Sequence, residues 1–157
     1  MLRISRPLVA VLGISIIIIA AFSLWWFSPV LFPVDDTEPE EETNFTVLLS
    51  GVLQEVDSVH KGSGTVQLVE SNLGHQSIRF IDVSITDGPD LYVYLSKQSS
   101  FSGIYDGPGE YVSLGRTLTV TGNFTASIPD SVDGTEYTSV LIWCQAFSVL
   151  FTYAVLE

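Results

Sequence analysis

Cys144 is the only cysteine in 157 residues, so the chain holds one thiol and no internal disulfide. A lone thiol can form a mixed disulfide with a partner, oxidise to a sulfenic acid, or bind haem iron or copper as a thiolate. Each of these needs access and a lowered pKa. The six residues around it, Leu141 to Trp143 and Gln145 to Phe147, include no Lys, Arg or His to favour a thiolate. A small buried hydrophobe accounts for such a cysteine equally well. His60 and His75 are the only histidines, and no H-x-x-x-H or C-x-x-C pair occurs. A closed zinc site, which needs about four N or S ligands, is therefore excluded. A copper site built from Cys144, His60 and His75 would want a weak axial ligand, yet the single methionine is Met1. No metal is assigned on this pattern, and no cofactor can be named.

Carboxylates offer a second chemistry. Asp87, Gly88, Pro89 and Asp90 read first as a turn, with Pro fixing φ and Gly freeing it. With Asp82 or Asp106 they could also present oxygen ligands to calcium, although the EF-hand spacing is missing. Asp106-Gly107-Pro108-Gly109 reads the same way. Tyr92, Tyr94, Phe101, Tyr105 and Tyr111 could line an aromatic surface for a sugar or peptide, or simply fill a strand-rich core. No G-x-S-x-G elbow, phosphate loop, dinucleotide fingerprint or H-E-x-x-H is present. An enzyme acting alone is the least favoured class.

The elements that must position these groups begin with LVAVLGISIIIIAAFSLWWF, residues 8–27. At roughly 1.5 Å per residue, twenty apolar residues in a helix cross the ~30 Å hydrocarbon core once. Arg3 and Arg6 precede the run, and Trp25, Trp26 and Phe27 end it. Positive charge on the near side and aromatic rings on the far side leave residues 1–7 in the cytoplasm. The competing reading, a signal peptide cut near Ala20-Ala21, is disfavoured by the length of the run and its bulky end. Under either reading residues from about 35 onward lie outside the cytoplasm, and a retained anchor holds them at the cell membrane.

Residues 28–44, SPVLFPVDDTEPEEETN, carry three prolines and six acidic residues. Such a segment buries too little apolar surface to fold and reads as an extended, self-repelling stalk. All eighteen Asp and Glu lie from Asp35 onward, opposed there by Lys61, Arg79, Lys97 and Arg116 alone. That imbalance excludes a nucleic-acid partner and is compatible with cationic partners or plain solubility. Asn44 and Asn123 each open an Asn-Phe-Thr sequon, a glycosylation candidate where the machinery is extracytoplasmic.

From Phe45 on, runs rich in Val, Ile, Thr, Tyr and Phe alternate with Gly, Pro, Asn, Asp and Ser. No helical periodicity is sustained, so residues 45–157 are expected to form one all-β domain. Strands are expected at 45–53, 64–70, 76–85, 91–95, 117–121, 139–144 and 147–156. Residues 65–70 and 77–82 alternate apolar and polar, as when one face meets water. Residues 139–144, SVLIWC, are apolar on both faces and read as a central strand. Seven or eight such strands favour an antiparallel β-sandwich preceded by the single transmembrane helix.

Four landmarks resemble the electron-transfer DM-thirteen domain family. They are HKGSGTVQLVE (60–70), GPDLYVYLS (88–96), LGRTLTVTGNFTASIP (114–129) and SVLIWCQAFSVLF (139–151). The last places Cys144 at the family's characteristic cysteine, and together they cover nearly all of residues 50–157. Two positions depart from the family pattern. Members often carry Phe-Gly where this chain has Phe151-Thr152, and a Tyr shortly before Ile-Pro where it has Ala126-Ser127. The resemblance implies a non-enzymatic redox or electron-transfer accessory, with Cys144 as the candidate redox thiol and a redox protein as partner. The rival expectation is a cell-surface module binding a protein, glycan or calcium, in which Cys144 is only structural.

Overall fold

The computed structural model describes residues 44–157. The expected cytoplasmic N-terminus, transmembrane helix and nearly all of the stalk lie outside the described residues. Among the described residues no helix is long and apolar enough to cross a membrane.

Among the described residues nine strands follow one another: β1 (Phe45–Val52), β2 (Gln54–Glu55), β3 (Gly62–Ser71), β4 (Gln76–Ile85), β5 (Leu91–Ser96), β6 (Tyr111–Arg116), β7 (Thr121–Ser127), β8 (Ser139–Cys144) and β9 (Val149–Val155). One short 3-10 turn, Gly134–Glu136, interrupts them. All pairings are antiparallel. They build a four-stranded sheet of order β1-β3-β4-β7 and a five-stranded sheet of order β2-β9-β8-β5-β6.

Alternation along the strands explains how the sheets face one another. Val66, Leu68, Ile78, Phe80 and Phe124 point inward from the first sheet, and Val93, Leu95, Val140, Ile142 and Ala154 from the second; all ten belong to one core. Phe80 and Phe124 are register partners and stack with ring centroids 4.2 Å apart. One strand path serves both sheets: β1 leaves the first sheet at Val52, the buried Leu53 crosses the corner, and β2 enters the second. The edge beyond β1 is tied to the end of the chain, where Ser50 and Glu157 exchange two backbone hydrogen bonds of 2.9 Å.

The expected β4 and β8 match the observed strands end for end, and β8 is central, with all six residues buried. The expected strand at 117–121 is a correction. Residues 117–120 form the connection between β6 and β7, and Thr121 opens β7. Both β6 and β7 went unread because they are edge strands, where exposed polar residues replace the apolar alternation that burial imposes. Each also carries a glycine in the left-handed region, Gly115 at φ 100° and Gly122 at φ 85°, which reads as a turn signal. The two-residue β2 is too short to leave any period.

Candidate functional site

Cys144 ends β8 on its inner face, opposite Leu91 of β5 and Val149 of β9. The alternation set by β8 leaves no choice: Val140, Ile142 and Cys144 enter the core while Leu141 and Trp143 face outward. The thiol side chain is fully buried, with no exposed area. The turn that follows, residues 145–148, brings the chain back into β9, with Ser148 in the left-handed region at φ 53° and Phe147 67% exposed. A buried apolar thiol thus sits one residue from an exposed turn.

The histidines lie elsewhere, each beside a carboxylate. His60 Nδ1 is 3.0 Å from both Asp57 carboxylate oxygens, and its ring meets Phe151 edge-on at 4.7 Å. Asp57 also accepts the backbone N–H groups of Val59 at 2.7 Å and His60 at 2.6 Å. These bonds, led by the His60 N–H and then the His60 ring, hold the Asp57 carboxyl down to about 2, from an ordinary value of 3.8. His75 Nδ1 lies 2.9 Å from Asp130 on a groove of about 430 Å³ bordered by Leu73, Gln76, Ile128 and Asp133. That groove does not include Cys144. Among the described residues no three His, Cys, Asp or Glu side chains gather as a metal site, so Cys144, His60 and His75 are not brought together.

The 87–90 loop is built as a cap on the core. Asp87 accepts the Gly88 N–H at 2.8 Å, and a Cβ on Gly88 would meet Phe151 and Leu91 at 2.9 Å, so only glycine lets the turn lie this close. Asp90 is taken by Arg116, whose Nε and Nη2 both donate to it while Nη2 also reaches the Pro89 carbonyl at 3.4 Å. The pair raises the Arg116 pKa through that hydrogen bond and the Asp90 charge. A cation is already in place where calcium would have to bind. Asp106 is likewise engaged, accepting the Ser102 N–H and, at 2.9 Å, the Ser102 hydroxyl; those bonds lower its pKa. Asp82 occupies a bulge at φ 49°, its N–H donated to Asn123 Oδ1 at 2.8 Å. Asn44 and Asn123 are both exposed.

The tyrosines come together in a way the strand pattern alone does not show. On the outer face of the five-stranded sheet, Tyr94, Leu141, Trp143 and Leu150 form a second buried cluster, with Tyr92, Phe101 and Tyr153 packed against it. Tyr94 stacks on Tyr111 at 4.4 Å and faces Trp143 at 6.3 Å. Its hydroxyl accepts a 2.7 Å hydrogen bond from Gln145 Nε2. Burial raises the Tyr94 pKa, opposed by the Gln145 hydrogen bond, which lowers it, and aided more weakly by Tyr111. The sequence allowed an aromatic surface of Tyr92, Tyr94, Phe101, Tyr105 and Tyr111; Tyr105, 82% exposed, stays outside the cluster, and Trp143, Tyr153 and Gln145 were left out. The signal for Trp143 was available in SVLIWC, whose second apolar face needs something to cover.

No curated protein and no solved structure matches this chain. A family model does match, over residues 53–156, a span that includes Cys144, the Gly88 turn and the aromatic face. The chain belongs to the family described as electron transfer DM13.

Proposed function

We propose that this protein is a membrane-anchored electron-transfer accessory whose β domain stands outside the cytoplasm, with Cys144 as its redox group. The family match over residues 53–156 carries this reading. The apolar run at 8–27, with arginines before it and aromatic rings after it, supports the anchor and its orientation. Full burial of Cys144 argues against disulfide exchange or metal ligation in the closed fold. Access then comes from opening of the 145–148 turn, since a strand end beside an exposed loop opens at lower free energy than the whole domain.

Alkylation of Cys144 in increasing urea tests this. Local opening gives a native-state rate that is flat at low urea; a rate that rises with the full unfolding slope from the start removes the thiol chemistry. Orientation is tested separately. A tag behind residue 157 should be digested by protease added to intact cells, and protection until lysis would overturn the anchor as read.

A second reading has its own observation. With no exposed area at Cys144, the domain can serve as a surface interaction module in which that residue is a core hydrophobe. Labelling only on global unfolding, together with a melting temperature raised by an added ligand, would favour it.

A further inference from the structure

On the outer face of the five-stranded sheet, a row of aromatic rings joins two buried groups to one that reaches the surface. Trp143 is 7% exposed, Tyr94 2% and Tyr111 47%. The ring of Tyr94 lies between the other two, 6.3 Å from Trp143 and 4.4 Å from Tyr111, with the same 22° between ring planes at each step. Three strands supply the three rings: β8, β5 and β6. Their spacing is therefore fixed by ladder hydrogen bonds, since Tyr94 is the register partner of Leu141 in β8 and of Ser113 in β6. Stacking of this kind is common in cores. Here two of the rings carry removable phenolic protons, and the last ring reaches water.

We infer that Trp143, Tyr94 and Tyr111 form a one-electron relay that carries electrons inward from the surface at Tyr111. This rests on the electron-transfer reading of the domain and names a route for it that does not need the buried thiol. A one-electron oxidant of the radical class takes one electron from the Trp143 indole, whose N–H proton is released. Tyr94 passes one electron and its phenolic proton to Trp143, which is restored as Tyr94 becomes a phenoxyl radical. Tyr111 does the same for Tyr94. A diffusible reductant of the enediol class then returns one electron and one proton to Tyr111 at the surface. Direction follows from general chemistry: at neutral pH a phenol whose proton can leave is easier to oxidise than an indole. Gln145 is a positioning residue. By donating its N–H to the Tyr94 oxygen it occupies an acceptor site there and leaves the phenolic hydrogen to point elsewhere.

The test uses the full chain with Trp25 and Trp26 changed to Phe, so that Trp143 is the sole indole. Pulse-generated azide radicals oxidise that indole by one electron and become azide ions. Indolyl and phenoxyl absorption are followed in time, and a nitroso spin trap is mapped by mass spectrometry. Indolyl decay should match phenoxyl growth, with the trap on Tyr111. Tyr94→Phe should slow phenoxyl growth by about tenfold or more and remove the Tyr111 adduct. Tyr92→Phe, Tyr105→Phe and Cys144→Ala should change neither. A melting curve for Tyr94→Phe within a few degrees of the parent excludes misfolding as the cause. Transfer to Tyr111 at the parental rate in Tyr94→Phe would overturn the relay, as would its loss in Tyr92→Phe or Cys144→Ala. Failure of the Cys144 reading appears differently, as a working relay in a protein whose Cys144 labels only on global unfolding.

Discussion

The two sheets share a core but differ in how they treat their other face. The four-stranded sheet turns mostly polar residues outward, and there the Arg79 guanidinium lies 4.0 Å above the Phe45 ring. The five-stranded sheet covers its outer face with a second cluster around Tyr94, Leu141, Trp143 and Leu150. The contrast teaches where the chain can spend polarity. β3 and β4 alternate apolar with polar because water is their outer neighbour, whereas β8 cannot, because both of its faces are covered.

Substitutions can break or sharpen that contrast. Ile142→Ala, at a fully buried inner position of β8, should cost about 4 kcal/mol in urea unfolding. Trp143→Ala, on the other face of the same strand, should cost about 3 kcal/mol, while Gln67→Ala on the wet face of β3 should stay within about 0.5 kcal/mol. A Trp143 value as small as that of Gln67 would mean the outer cluster is a surface decoration and the contrast is false. Gly62→Ala probes the join between the sheets, since its Cβ would lie 2.3 Å from Thr152 Oγ1; about 2 kcal/mol of destabilisation is expected, measured the same way.

The smallest expected effect is electrostatic. Because the folded Asp57 carboxyl is held below its unfolded value, its contribution to stability is present above about pH 4 and is lost as pH falls through about 2. The stability gap between the parent and Asp57→Asn should therefore close across that window. A gap that stays constant would show that the His60 contacts do not favour the ionised carboxylate.

The sequence pattern was legible wherever burial imposed a period. Residues 76–85 and 139–144 declared their strands because one or both faces are apolar, and the same alternation puts Cys144 on the inner face with Val140 and Ile142. Two edge strands declared nothing: YVSLGR and TGNFTAS meet water along much of their length, so no period was written into them. The candidate site divides along the same line. The family landmarks identified Cys144 and the Gly88 turn, but the occupation of Asp90 by Arg116 joins residues 26 positions apart, and no local pattern records that. The same holds for Tyr94 and Gln145, 51 positions apart.

The bulged rims of the two sheets have a consequence for crowding. Where β5 meets β6 the register slips beside Gly115, and where β4 meets β7 it slips beside Gly122, so neither β6 nor β7 offers a straight row of amides to another molecule. Copies meeting at these two edges would find no straight template along which to stack into a fibril. Neighbours that meet there can thus collide often and still part.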